Sequence, residues 1–356
     1  MPEKKPGLKR RDFLKNMGLG LAGAAAAPAL GGKTSLLAGP PAEIPIHHFG
    51  PGRLYNKPAP PARVSLIKGG DRRDIVYQSL KMIEDEVLAS IGNKTILVKP
   101  NVVLMDNPLS VTHTDAVRAV LDFLTPHYKK QIMIGESGHH NTMDGYKNNG
   151  YLKLEKEYNV KIVDLNLESC QYRYVISKDN RPIPIRIINT FLDPNIYMIS
   201  VARMKTHNYV FVTLSLKNVL LASPLKDAKQ NDKGLMHTAP PAMNDICHYN
   251  MFHIAQEVYP ELAVIDGFEG MEGNGPAWGT PIESKVALAS LDPLAADITA
   301  TRVMGFDPKR INYLAAMAEA GMGQGDYDKI QLLGTPLDQC VCKYKPNEKM
   351  AELYKL

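Results

Sequence analysis

The stretch IYMISVARMKTH, Ile196–His207, reads as a buried strand as far as Ala202 and then ends in Lys205, Thr206 and His207. A continuous apolar run without alternation marks a strand covered on both faces, the habit of a parallel sheet between helix layers. A second apolar run, VFVTLSLKN at 210–218, follows at once and ends in Lys217 and Asn218. Working outward, the same pattern recurs. Short apolar strands are expected at 64–67, 95–98, 131–134, 161–165, 261–265, 285–289 and 329–333. Helices are expected at 71–91, 115–124 (with Thr114 as N-cap), 242–259, 293–304 and 308–320. Alternation of this kind predicts an α/β fold with a largely parallel sheet flanked by helices, in Rossmann-like layers. Residues 172–187, split by Asp179-Asn180-Arg181-Pro182, read as an inserted β-hairpin, and 218–241 as a long loop.

The 356 residues are enough for one large domain or two smaller ones. The net charge is +5, and most of that excess sits in the first fifteen residues, so composition gives no case for nucleic-acid binding. Arg10-Arg11-Asp12-Phe13-Leu14-Lys15 resembles the twin-arginine export motif, and a Gly/Ala/Leu stretch with a small-residue cleavage site follows it. Residues 1–38 are therefore expected to be a signal peptide, 39–62 a Pro/Gly-rich linker, 63–335 the α/β domain and 336–356 a C-terminal tail. Two lobes, 63–170 and 190–335, are an open division of that domain. The expected location is periplasmic or otherwise exported. No later segment is long and apolar enough to predict a membrane span. Cys340-x-Cys342 is too short for an easy disulfide of its own, and two thiolates alone do not define a metal site.

Chemically loaded residues begin where predicted strands end. TILV runs into Lys99-Pro100-Asn101, QIMI into Gly135-Glu136-Ser137, IYMISVA into the Lys205–His207 segment, LAVI into Asp266-Gly267, and KVALAS into Asp292-Pro293. In a parallel sheet the carboxyl ends of the strands share one edge, where ligands bind. Lys99, Lys205 and Lys217 supply positive charge, Asn101 and Asn218 amides, Ser137 and Thr206 hydroxyls. That donor set suits a small carboxylate or phosphate. His207 and His237 are the acid/base candidates, with Asp266 expected to orient His207 or to hold a metal. Glu136 and the glycine-dense loop DGFEGMEGNGP, with Gly273 and Asn274, complete the expected rim.

Eight motifs in order, KPN (99–101), a Thr-His segment (112–115), GESG (135–138), GY (150–151), MKTH (204–207), SLKN (215–218), DGFEGMEGNGP (266–276) and SLDPLAAD (290–297), resemble the bacterial and archaeal domain of unknown function 362. The resemblance spans roughly residues 63–333. It implies redox company, since many members carry or accompany a ferredoxin-like iron–sulfur module, and a distant similarity to lactate-racemase-like α/β proteins. This chain has no C-x-x-C-x-x-C run and so no iron–sulfur motif of its own.

The expectation is an exported enzyme on a small anionic substrate or cofactor, with redox chemistry slightly favoured. A metal or redox cofactor and a redox partner protein stay open. Two alternatives stand beside it: a non-catalytic anion-binding or maturation protein, and a metal-dependent hydrolase built on Asp266, Glu272 and a histidine. His207 and Asp266 within hydrogen-bond reach in one cleft would favour catalysis; His207 packed into the core would favour binding.

Overall fold

The computed structural model describes residues 59–237 and 244–353. The export motif, the cleavage site and most of the predicted linker lie outside the described residues. The strands are β1 (Ala62–Lys68), β2 (Thr95–Pro100), β3 (Ile132–Glu136), β4 (Val160–Asp164), β5 (Cys170–Ile176), β6 (Pro182–Ile188), β7 (Ile196–His207), β8 (Phe211–Thr213), β9 (Leu262–Glu272), β10 (Thr280–Ile282), β11 (Val286–Ser290) and β12 (Ile330–Gly334). The α-helices are α1 (Arg72–Lys81), α2 (Glu84–Ile91), α3 (Thr114–Leu124), α4 (Thr142–Asn148), α5 (Leu154–Glu157), α6 (Ser215–Leu220), α7 (Asp232–Met236), α8 (Asn244–Ile254), α9 (Pro293–Val303), α10 (Asn312–Glu319), α11 (Leu337–Cys340) and α12 (Glu348–Leu353).

The fold is α/β. One sheet runs in the order β12-β1-β11-β9-β7-β2-β3-β4, with β8 and β10 added beside β7 and β9. The contacts β9·β7, β7·β2, β2·β3 and β3·β4 are parallel, and β1 is parallel to β12. β11 runs antiparallel to both its neighbours. Its carboxyl end therefore lies at the opposite edge from theirs, and Asp292 caps α9 there instead of joining the expected rim. The predicted hairpin is present as β5 and β6, a separate two-stranded sheet. Strands from 63–170 and from 190–335 interleave in the one main sheet, so the described residues do not divide into those two lobes.

Every residue of β7 is buried, as its unalternating apolar run requires. The pleat sends its alternate side chains to two cores. Tyr197, Ile199 and Val201 join the layer of α1, α2 and α3, while Met198 and Met204 join the layer of α6, α8, α9 and α10. The expected helix 71–91 is two helices, with Ile83 off helical geometry (φ −128°, ψ 24°) between them. His113, not Thr114, caps α3, its Nδ1 accepting from the Asp115 amide at 3.2 Å.

The expected loop 218–241 is more ordered than its composition suggests, because it contains part of α6 and all of α7. Helix α6 is fixed from below by Asp297 of α9, which accepts from the Ser215 amide at 2.9 Å and the Leu216 amide at 3.0 Å. Asp297 faces neither cavity nor solvent. Burial, chiefly, pushes its carboxyl up to about 7. The folded state then holds a proton that the unfolded chain releases near 3.8, so stability falls as pH rises from there through about 7. An Asp297→Asn variant sets an amide NH2 against a backbone N–H. It should lose about 1–3 kcal/mol in urea unfolding at low pH and lose this pH slope as well.

Candidate functional site

The carboxyl edge of β2, β3 and β7 opens onto a cavity of about 680 Å³. Its polar wall includes Lys99, Glu136, His207, Thr213, Lys217 and His237; Trp278 and residues 347–349 stand around it. The last three belong to the segment expected to be a tail. That segment folds back onto the body, burying Tyr344, whose hydroxyl meets Ser284 Oγ at 2.8 Å.

Three of the four buried lysines here are already occupied. Lys99 Nζ donates to the Pro100 carbonyl (2.7 Å), to Asn218 Oδ1 (2.9 Å) and to Glu136 Oε1 (2.8 Å). Glu136 in turn accepts from the amides of Val102 and Ser137, both at 2.8 Å. Asn218 spends its amide group on the Lys99 carbonyl and Ser200 Oγ, each at 3.0 Å. Lys205 donates to Asn101 Oδ1 at 2.6 Å and the Ser110 carbonyl at 2.7 Å, and it does not line the cavity. Lys233 bonds Ser137 Oγ and the carbonyls of Ala222 and Pro224. Burial alone would drive all of these amines toward neutrality, and the acceptors offset that cost.

Lys217 differs. It is only 8% exposed, lines the cavity, and its Nζ has no hydrogen-bond or ion-pair partner among the described residues. Burial, chiefly, lowers its pKa to about 8. The same charge bears on its neighbours. Burial and then Lys217 hold the His207 imidazole well below its ordinary value and push His237 down to about 3.

The two imidazoles sit 6.1 Å apart, ring centre to ring centre, in opposite tautomers. His207 Nδ1 accepts from the backbone N–H groups of Tyr209 (3.0 Å) and Val210 (3.3 Å), which leaves Nε2 as the protonated donor. His237 Nδ1 faces the Lys233 carbonyl at 2.8 Å and must donate to it, which leaves Nε2 as a bare acceptor. Thr213 Oγ, buried in the same wall without accessible surface, has no partner among the described residues. The cavity wall thus holds an ammonium and an imidazole N–H beside an imidazole lone pair.

Of the expected site residues, Lys99, Asn101, Glu136, Ser137, His207, Lys217, Asn218, His237 and Asn274 line this cavity. Lys205, Thr206 and Gly273 stand behind it. Thr206 Oγ donates to the Gly273 carbonyl at 2.9 Å and ties the glycine loop to β7. A side chain at Gly275 would meet the Thr206 carbonyl at 2.2 Å, so that close approach requires glycine.

Asp266 does not orient His207. In β9 it shares the pleat face of Leu262 and Val264, toward α1, where Arg72 Nε lies 3.2 Å away. α6 packs on the other face. The His207 Nδ1 that a carboxylate would need is already an acceptor. Asp266 and Glu272 are likewise separate, Glu272 accepting from the Lys345 amide at 2.8 Å. Among the described residues no group of three or more His, Cys, Asp or Glu is placed to hold a metal ion, and the four cysteines are free.

Sequence reasoning missed Thr213, Lys233, His139 and Trp278 at this wall. Lys233 and Trp278 stand in stretches rich in Gly, Asn and charge that read as loop. Thr213 sits inside an apolar run where a hydroxyl draws no notice.

These features describe an α/β protein with a buried cationic cavity at the carboxyl edge of its sheet. The chain belongs to the family described as domain of unknown function DUF362, whose model matches residues 96–302. It is 27% identical over 245 residues to a thylakoid-associated protein of Synechocystis sp., covering 67% of this chain and 73% of that one. Among solved structures it is similar to the lactate racemase apoprotein of Thermoanaerobacterium thermosaccharolyticum at 14% identity and a TM-score of 0.41. That match covers 69% of this chain and 57% of the racemase chain, so the chain spans little more than half of that protein. A Thermotoga maritima protein matches at 11% identity and a TM-score of 0.35, covering 65% of this chain and 58% of that one. No helix among the described residues is long and apolar enough to cross a membrane.

Two lysines of this wall should respond oppositely to substitution. Lys99→Met strands a buried carboxylate and should cost about 3–5 kcal/mol. Lys217→Met removes an unpaired buried charge and should raise stability at neutral pH by roughly 1–3 kcal/mol. Since Lys217 is lowered in the fold, it contributes a gain in stability as pH rises from about 8 toward 10.5; Lys217→Met should lose that share and keep only the part due to the other lowered amines, Lys233 at about 7 among them. Urea denaturation across that range checks both.

Proposed function

We propose that the cavity binds a small anion, a carboxylate or a phosphate, and moves a proton at it. The observation that carries this reading is Lys217, a cation buried in the cavity wall with no partner among the described residues. An uncompensated buried ammonium is costly, and an anionic ligand offsets the cost. His207 Nε2–H supplies a further donor, and His237 Nε2, left as an acceptor by the bond its Nδ1 makes, is the group to take a proton from the ligand. His237 is a poor base while Lys217 is unpaired. Burial is the first cause of that and Lys217 the second; an anion on Lys217 cancels part of the second and shifts His237 upward.

This assignment moves the acid/base role from His207 to His237 and leaves Asp266 out of it. Lys99, Asn218 and Glu136 serve to hold the wall. A volume of about 680 Å³ also leaves room for a ligand body beyond the anionic group. Redox chemistry, if the ligand carries it, is the ligand's own contribution. A binding protein without turnover is the second reading, favoured by how many of the wall's polar groups are already satisfied. The Arg10-Arg11 motif supports export of the chain already folded.

Trp278 is the only tryptophan of the chain and stands 78% exposed beside the cavity, which makes its fluorescence a direct readout. Titration with small carboxylates and inorganic phosphate should change that fluorescence saturably. Affinity should fall as pH rises through about 8, where the Lys217 ammonium loses its proton, and Lys217→Met should weaken it at least tenfold. Saturable binding unchanged in Lys217→Met, or stronger above that pH, refutes the assignment.

A further inference from the structure

The absence of a partner makes Lys217 unlike the other buried lysines in a second respect. Lys99 and Lys233 each commit three N–H bonds to fixed acceptors. Lys217 commits none among the described residues, so losing a proton costs it no bond. We infer that Lys217 is a nucleophilic amine that forms an imine with an anion bearing a carbonyl group, a 2-oxo acid or an aldehyde acid. This inference rests on the anion-binding reading of the same cavity and names the substrate class for it.

The surroundings supply what imine formation needs. The titratable groups that act on Lys217 or are acted on by it are Cys247 of α8, Lys99, Glu136, Lys205, His207 and His237. Burial acts first and Lys99 adds to it, both against the ammonium; the neutral amine is the form that attacks, and an anion paired with the ammonium makes it scarcer, so labelling should rise as pH climbs through about 8 while anion affinity falls. The amine lone pair attacks the carbonyl carbon, and the carbonyl π pair moves onto oxygen. His207, in the same wall, keeps Nε2–H free of its backbone partners and donates it to that oxygen. His237 Nε2 takes a proton from the nitrogen and returns it to the oxygen. The C–O bond then breaks as the nitrogen lone pair forms C=N, His237 Nε2 carries the second nitrogen proton to the departing oxygen, and water leaves with the two protons that began on the amine. Nothing is oxidised or reduced, and His237 ends neutral as it started.

Glyoxylate is the probe, with sodium borohydride to reduce the imine and peptide mass spectrometry to locate it. Glycolate, of equal charge but without the carbonyl, is the control. Lys217 should gain one carboxymethyl group at glyoxylate concentrations that leave Lys345, whose side chain is 81% exposed, unmodified. Glycolate should compete, and Lys217→Arg should carry no label at this position. His237→Ala should slow labelling at least tenfold while glycolate still quenches Trp278. If both acids change Trp278 fluorescence but Lys217 is labelled no faster than Lys345, the imine assignment falls and the anion site stands. If neither acid is bound, the anion reading fails and takes this one with it.

Discussion

The buried ion pair between Lys99 and Glu136 is the interaction on which the site depends. It joins β2 to β3 below the cavity, and through Asn218 it also reaches α6. Each member is satisfied on every side: Glu136 by two amides as well as the ammonium, Lys99 by a carbonyl and an amide oxygen as well as the carboxylate. Such a pair contributes little net stability against an apolar alternative, but breaking it leaves a charge stranded in the core. Its effect is to fix where α6 begins relative to the sheet, and α6 carries Lys217.

Asp297 fixes the same short helix from α9. Held on both sides, α6 has six residues, all buried, and places an ammonium where no carboxylate of the described residues reaches it. Burial comes first in depressing the His207 and His237 imidazoles, and this one charge is the second cause at both. The opposite tautomers of these two rings come from something simpler, the backbone group each Nδ1 meets: N–H for His207, C=O for His237.

Much of the fold was legible in the chain. Unbroken apolar runs such as 196–202 specify strands buried on both faces, and their spacing specifies the helices between them. What periodicity does not carry is strand direction. β11 looks like its neighbours in sequence and runs against them, which removed Asp292 from the rim. Pleat parity decided Asp266, which faces α1 while the cavity lies on the α6 side. Lys99, Glu136, His207, Lys217 and His237, all at predicted strand ends or in the loops after them, line one cavity. Such positions do not tell a lysine that holds structure from one that is free, because that depends on where carbonyls such as those of Pro100, Ala222 and Pro224 point after folding.

The claim that Lys217 is an unpaired buried amine is open to direct measurement by an NMR titration of lysine side-chain nitrogens, with Lys217 assigned from its absence in Lys217→Arg. A Lys217 signal titrating near 8, and shifting to higher pH when inorganic phosphate or a carboxylate is added, is the predicted result. A Lys217 signal that titrates with the exposed lysines, around 10.4, and ignores added anions would contradict it.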